Sequence, residues 1–313
     1  MSKYTFQEGS YDSRFKVVFE RFLFNETRHR LSQSKDNRIT FSLLNEQAEQ
    51  VVAQIHFCVA NLIASSPCRA PFGSVEFSSS LPPEALSSFL KETEQKLKSH
   101  GVNKIVIKDP AHQYRPEQSA LLNTMFLNLG FITTSAEINS AIEVNETTFE
   151  DKISHAEVKR LKRCRQEELE FRVLSMEMLD KVYFFINECR EERGMALSMT
   201  LPQLKSTIQN CQNDFFLFGI FQKNQLMAAS ISVRVNERIL YDFYHAHPKS
   251  FDQLSPVVSL VDGMYGYCQR NKFELLDLGT SAIDGKVNFS LLNFKTQLGC
   301  KSSMKLTFEK DIS

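Results

Sequence analysis

The chain has 313 residues, 42% hydrophobic and 24% charged, a length and composition that suit two globular domains with real cores. Its 37 Lys and Arg balance 37 Asp and Glu, which excludes the overall basic field of a protein that wraps nucleic acid. The opening residues, Met1 to Glu8, hold no apolar signal region, and no run approaches the roughly 20 apolar residues of a membrane helix, so a cytoplasmic chain is expected.

In chain order, strands are expected at 38–44, 51–60 and 73–78. A helix follows from Pro83 to about His100, opened by Leu81-Pro82-Pro83-Glu84 and stopped by Gly101. A strand at 104–108, a helix at 116–129 and a strand at 131–144 complete this first set. Residues 148–213 read as a helical connector, with helices near 153–169, 176–193 and 201–212. The opening order then returns: strands at 215–222, 226–235 and 238–245, and a helix with Ser255 as N-cap and Pro256 at its first position, running to about 271. A strand at 273–278, a helix at 288–298 and a strand at 303–309 finish the chain.

Leu121-Leu122-Asn123 before Leu129-Gly130 matches Leu291-Leu292-Asn293 before Leu298-Gly299, each in the helix ahead of a final strand. Seven elements in one order, used twice, indicate duplication. The expected fold is mixed α/β, an α+β mixed sheet in two tandem domains. The first spans 1–147; the second spans 148–313 and opens with the helical connector. Three strands before each helical crossover separate it from a doubly wound nucleotide fold.

This order resembles the tandem form of the GNAT acyltransferase superfamily, and within it the Fem-type (FemABX-like) aminoacyltransferases. The likeness is carried by Ser66-Pro67-Cys68-Arg69-Ala70-Pro71-Phe72-Gly73, by Leu276-Asp277-Leu278-Gly279-Thr280-Ser281 and by Asn293-Phe294-Lys295-Thr296-Gln297-Leu298-Gly299. GNAT enzymes usually place an Arg/Gln-x-x-Gly-x-Gly/Ala loop before the long helix, where backbone N–H groups hold the pyrophosphate of coenzyme A. Here that stretch, Lys249 to Pro256, has no glycine. Fem-type members use aminoacyl-tRNA and do not need the loop, so the resemblance leaves acyl-CoA or aminoacyl-tRNA as donor. The long coiled-coil arm of some Fem proteins is missing.

Lys295 is the leading candidate. On a wheel of 100° per residue it falls between Leu291 and Leu292, inside the apolar face of its helix. A lysine aimed at a core is costly unless a carboxylate or ligand meets it; the alternative is an ammonium that snorkels to the surface. The first copy has Met125 at the matching position, which favours a site in the second copy. The resemblance implies that this lysine stabilises negative charge on the acyl oxygen.

In the strand 239–245, Leu240, Asp242 and Tyr244 share one face, and Tyr241, Phe243 and His245 the other. His245 or Tyr244 is suited to proton transfer at the strand end and Tyr241 to substrate contact, or else the tyrosines serve cross-strand packing. Asp277 is either a partner for Lys295 or a substrate amine, or a turn cap. Arg69, on a loop stiffened by Pro67 and Pro71, suits capture of a phosphate or carboxylate, or bonds loop carbonyls; the resemblance implies that the first copy helps hold the acceptor, which would make Arg69 an acceptor contact. Ser255 completes the candidate substrate contacts.

The helix 155–165 carries a basic stripe of Lys159, Lys162 and Arg163, which reads as a tRNA contact or as a solvated face followed by Glu167, Glu168 and Glu170. Seven scattered Cys with no C-x-x-C pair read as reduced buried thiols, and the seven His show no metal-ligand spacing, so no metal is expected. Function is then read as transfer of an acyl or aminoacyl group onto an amine in the second copy, where the strands before Asp277 and His245 should splay. The alternatives are a non-catalytic double-GNAT binding protein and an acetyl-CoA N-acetyltransferase.

Overall fold

The computed structural model describes residues 3–33, 37–283 and 285–313. Two compact units form, Met1–Glu137 with Met304–Ser313, and Ile138–Ser303. Both are mixed α/β, with three antiparallel strands leading into a parallel pair, the tandem GNAT-like arrangement.

In the first unit, β1 (Tyr4–Glu8), β2 (Arg38–Asn45) and β3 (Gln50–Ala60) run antiparallel. Next, β4 (Ile63–Ser66) turns back on β3 and pairs in parallel with β5 (Lys104–Lys108). The third strand is therefore 63–66 and not 73–78; of the latter only Glu76–Phe77 is strand, and it pairs with β3. The turn that hid β4 is Asn61-Leu62, both at positive φ, 50° and 62°. A two-residue hairpin needs that geometry, and sequence reading looks for glycine there.

Helix α1 (Thr27–Gln33) precedes the sheet; α2 (Pro83–Ser99) and α3 (Pro116–Asn128) cover it. Proline at the first position opens both longer helices. The α2 stripe of Leu86, Phe89, Leu90 and Leu97 is buried with Phe41, Ile55, Phe57 and Ile105. Each such side chain contributes about 1.5–3 kcal/mol by leaving water.

In the second unit, β7 (Leu169–Leu174), β8 (Phe215–Gln222), β9 (Gln225–Asn236) and β10 (Ile239–Ala246) run antiparallel in that order. The helix expected to reach 169 is α4 (His155–Gln166). It ends before a turn at Glu168, φ 56°, and β7 follows. Charges at alternate β7 positions, Glu170 and Arg172, made that strand look like the end of the basic helix. Helices α5 (Leu179–Glu191), α6 (Leu201–Asn210) and α7 (Pro256–Arg270) fall where they are expected. α6 starts with a full capping box between Thr200 and Gln203. Strand β11 (Leu275–Thr280) lies parallel to β10, and α8 (Phe289–Gln297) follows a short hairpin.

The last strand of each copy does not close its own sequence repeat. Residues 139–143 of β6 (Ile132–Glu143) pair with β11, and residues 307–311 of β12 (Lys301–Asp311) pair with β5. A strand's period tells which residues share a face and not which strand it joins.

Cys58 and Cys68 form a disulfide with Cα atoms 5.3 Å apart, which corrects the expectation of thiols throughout. Tertiary folding brings the proline loop after β4 beside β3, and no C-x-x-C spacing signals it. The other five cysteines are buried thiols outside the disulfide. Among the described residues no helix is long and apolar enough to cross a membrane, and no cluster of three or more His, Cys, Asp or Glu is placed to hold a metal.

Candidate active site

Strands β10 and β11 pair only from Ile239–Tyr241 against Leu275–Asp277. Beyond that point they diverge, and their continuations line a cavity of about 820 Å³ within the second unit. A bulge shapes one wall: Ser232 faces Asp242 and Ile231 faces Tyr244, which leaves Phe243 as an extra residue. The two-residue alternation breaks there, so Asp242, Phe243 and His245 all line the cavity. Tyr244, expected beside the reaction, is turned elsewhere: its hydroxyl meets Ser198 Oγ at 2.5 Å and accepts from the Met199 N–H at 3.1 Å.

Lys295 enters from α8 and is 3% exposed. Its Nζ donates to the Gly279 and Thr280 carbonyls, both at 2.9 Å. Gly279 holds φ at 77°, a left-handed conformation that suits glycine, and a Cβ there would meet the Tyr241 ring at 3.3 Å. The turn is held from below by Asp277, whose Oδ1 accepts from Gly279 N–H at 2.6 Å and from Asn139 Nδ2 at 2.9 Å. Asp277 thus sits under the cavity floor and orients the carbonyls that hold the lysine. An ammonium has three donors, and two are used by those carbonyls. Burial pushes the Lys295 ammonium below the ordinary lysine value, and the Asp277 charge offsets part of that.

His245 presents Nδ1 to Asp242 Oδ2 at 2.6 Å. Asp242 is fully enclosed, and Ser230 Oγ donates to its other oxygen at 2.6 Å. Burial raises the Asp242 carboxyl, but His245, Ser230 and the Lys295 charge outweigh it and hold it below the usual carboxylate range. An anionic Asp242 favours the tautomer with Nδ1–H toward the carboxylate, which leaves the Nε2 lone pair to accept a proton or a hydrogen bond. Burial and the Asp277 charge keep Tyr241, also on the wall, a neutral phenol.

Ser255 lines the cavity, but in a left-handed conformation, φ 58°, and its hydroxyl makes no cap bond; Pro256 alone opens α7 as expected. Arg69 is exposed on the first unit's loop and is not among the cavity residues. The cations of the basic helix α4 are divided. Arg160 lines the cavity and pairs with Glu157, and Arg165 pairs with Glu150 and Asp262. Among the described residues Arg163 reaches the Gln253 carbonyl at 3.5 Å, and Lys159 and Lys162 are exposed.

Asp242, Arg190 and Arg193 are cavity residues that the sequence reading passed over. The signal for Arg190 was present: it follows Ile186 by four and Tyr183 by seven, on the buried stripe of α5, the same wheel argument that found Lys295.

No protein-family model matches this sequence, and no curated protein matches it. Solved structures do. The chain is similar to the crystal structure of FemX at TM-score 0.70 and 12% identity, over 94% of this chain and 93% of that one. It is similar to L-PGS from Bacillus licheniformis at TM-score 0.59 and 11% identity, over 93% and 92%. It also matches a tandem GNAT protein from the clavulanic acid biosynthesis pathway at TM-score 0.51 and 8% identity, over 91% and 88%. At these identities the likeness establishes the fold, a double GNAT-like one.

Proposed function

We propose that the chain is a Fem-like acyltransferase that moves an acyl or aminoacyl group from an activated ester or thioester onto an amine, in the cavity of the second unit. The observation that carries this reading is the buried Lys295 ammonium, held by two carbonyls with its third donor unspent. The amine attacks the donor carbonyl; the oxygen that gains charge is stabilised by the buried Lys295 ammonium. His245 Nε2 takes the proton from the attacking amine, and the Asp242 carboxylate stabilises the imidazolium. The intermediate then collapses and expels the alcohol or thiol of the donor, which recovers that proton. No covalent enzyme intermediate is needed, because both reactants are held together.

An aminoacyl ester is favoured over a CoA thioester. The segment before α7, Lys249 to Ser255, has no glycine of the kind that lets backbone N–H groups close on a coenzyme A pyrophosphate. The test is to supply the purified chain with radiolabelled aminoacyl-tRNAs or acetyl-CoA and a pool of amines, and to follow label into amide. Transfer from one donor, lost in Lys295→Met, is expected. Absence of transfer from either donor sinks the reading in favour of a binding protein, and transfer from acetyl-CoA alone overturns the choice of donor.

A further inference from the structure

Four cations line the cavity: Arg160, Arg190, Arg193 and Lys295. Three are matched from within the protein. Arg160 pairs with Glu157; Arg193 donates to Asp252 Oδ1 at 2.7 Å and to the His247 carbonyl at 2.9 Å; Lys295 rests on its two carbonyls near Asp277. Arg190 is not matched. Its Nε is buried with no hydrogen-bond partner, and among the described residues no carboxylate pairs with its guanidinium. The Tyr244 ring lies 5.6 Å from its central carbon.

The carboxylates on the same wall are already engaged. Asp242 is taken by His245 and Ser230, and Asp252 by Arg193 and His247. A guanidinium partly withdrawn from water with no anion beside it is costly. Its charge also works against the neighbouring Lys295 ammonium. An arrangement that destabilises the unliganded cavity in two ways is relieved by a ligand that brings negative charge.

We propose that Arg190 binds an oxyanion of the substrate, a phosphate ester or a carboxylate, so that the cavity selects anionic substrates. This rests on the reading of the cavity as the transfer site and adds the substrate class to it. The guanidinium edge formed by Nε–H and one Nη–H takes two oxygens in parallel, and the unpartnered Nε belongs to that edge. With the anion on Arg190 and the reacting carbonyl on Lys295, a substrate is held at two points. A neutral analogue would bind at one and be rejected.

Calorimetric titration of the intact chain with inorganic pyrophosphate and with succinate, at matched ionic strength, tests this. Binding of one probe is expected, weakened about tenfold or more in Arg190→Gln, with Arg190→Lys intermediate because it keeps the charge and loses the fork. Binding of pyrophosphate points to a phosphate ester, and binding of succinate to a carboxylate. Failure of both probes to bind, or binding undiminished from the wild type in correctly folded Arg190→Gln and Arg190→Lys, overturns the proposal. Arg190-dependent binding in a chain that transfers nothing keeps the anion site and removes the acyltransferase reading. Transfer lost in Lys295→Met with anionic and neutral acceptors used equally does the reverse.

Discussion

In both units a parallel strand pair ends and leaves two strands to part, and the residues just past the pair decide how the gap is filled. In the second unit the residues after Tyr241 and Asp277 carry Asp242, His245 and Gly279, and the gap stays open as a cavity of about 820 Å³. In the first unit the pair ends at Ser66 and Ile107. There the proline loop turns back, Gly73 N–H donates to the Lys108 carbonyl at 2.9 Å, and Phe72 packs edge-on against Phe22, Phe24 and Tyr114. Two clefts of this unit enclose about 10 Å³ each. Where the open cleft has Lys295, the plugged one has Met125 against its core. One framework thus yields a filled core or a reaction vessel according to whether aromatic or charged side chains meet at the strand ends.

Making the open cleft resemble the closed one has the largest expected effect. Lys295→Met should lower transfer about 10²–10³-fold, the usual loss for an oxyanion donor. Unplugging the closed cleft comes next: Phe72→Ala should cost about 3–5 kcal/mol in urea denaturation and leave transfer intact. A loss below about 1 kcal/mol would show that the aromatic cluster does not hold the first unit together.

Glu76, 1% exposed in the first unit, is pushed up to about 7 by burial, although the Phe22 N–H donates to it at 2.7 Å. Its folded value exceeds its unfolded one, so the folded state binds more protons between them. This carboxyl favours folding most below about pH 4.5, and that contribution fades as pH rises through 7. Glu76→Gln should therefore be more stable than the wild type at about pH 8, by on the order of 1–3 kcal/mol, with the gap closing near pH 4.5. Denaturation midpoints at the two pH values check the sign. The smallest effect is expected of Tyr244→Phe, about 1 kcal/mol of stability from its bonds to Ser198 and Met199, with no change in transfer. A large loss of transfer would return Tyr244 to the reaction.

Helices were legible because their signals are local. Proline at the first turn of α2, α3 and α7 and the apolar stripe of α2 located them closely. The parting of the strands near Asp277 and the inward face of Lys295 were legible too, the latter because a cation broke a run of leucines. Long-range facts were not. The partners of residues 139–143 and 307–311, the Cys58–Cys68 bond and the bulge at Phe243 all depend on what another segment does. That bulge brought Asp242 to the cavity beside Tyr241, Phe243 and His245, against a strict alternation, while Tyr244 kept the opposite face.

The most direct measurement is single-turnover transfer by the wild type and Lys295→Met at saturating donor, followed across alkaline pH. The account predicts a wild-type rate that falls as the Lys295 ammonium loses its proton, at a pH below that of an ordinary lysine. It also predicts a variant slower by about 10²–10³ without that alkaline limb. Equal rates for the two proteins would contradict the assignment of the second unit's cavity as a site of acyl transfer.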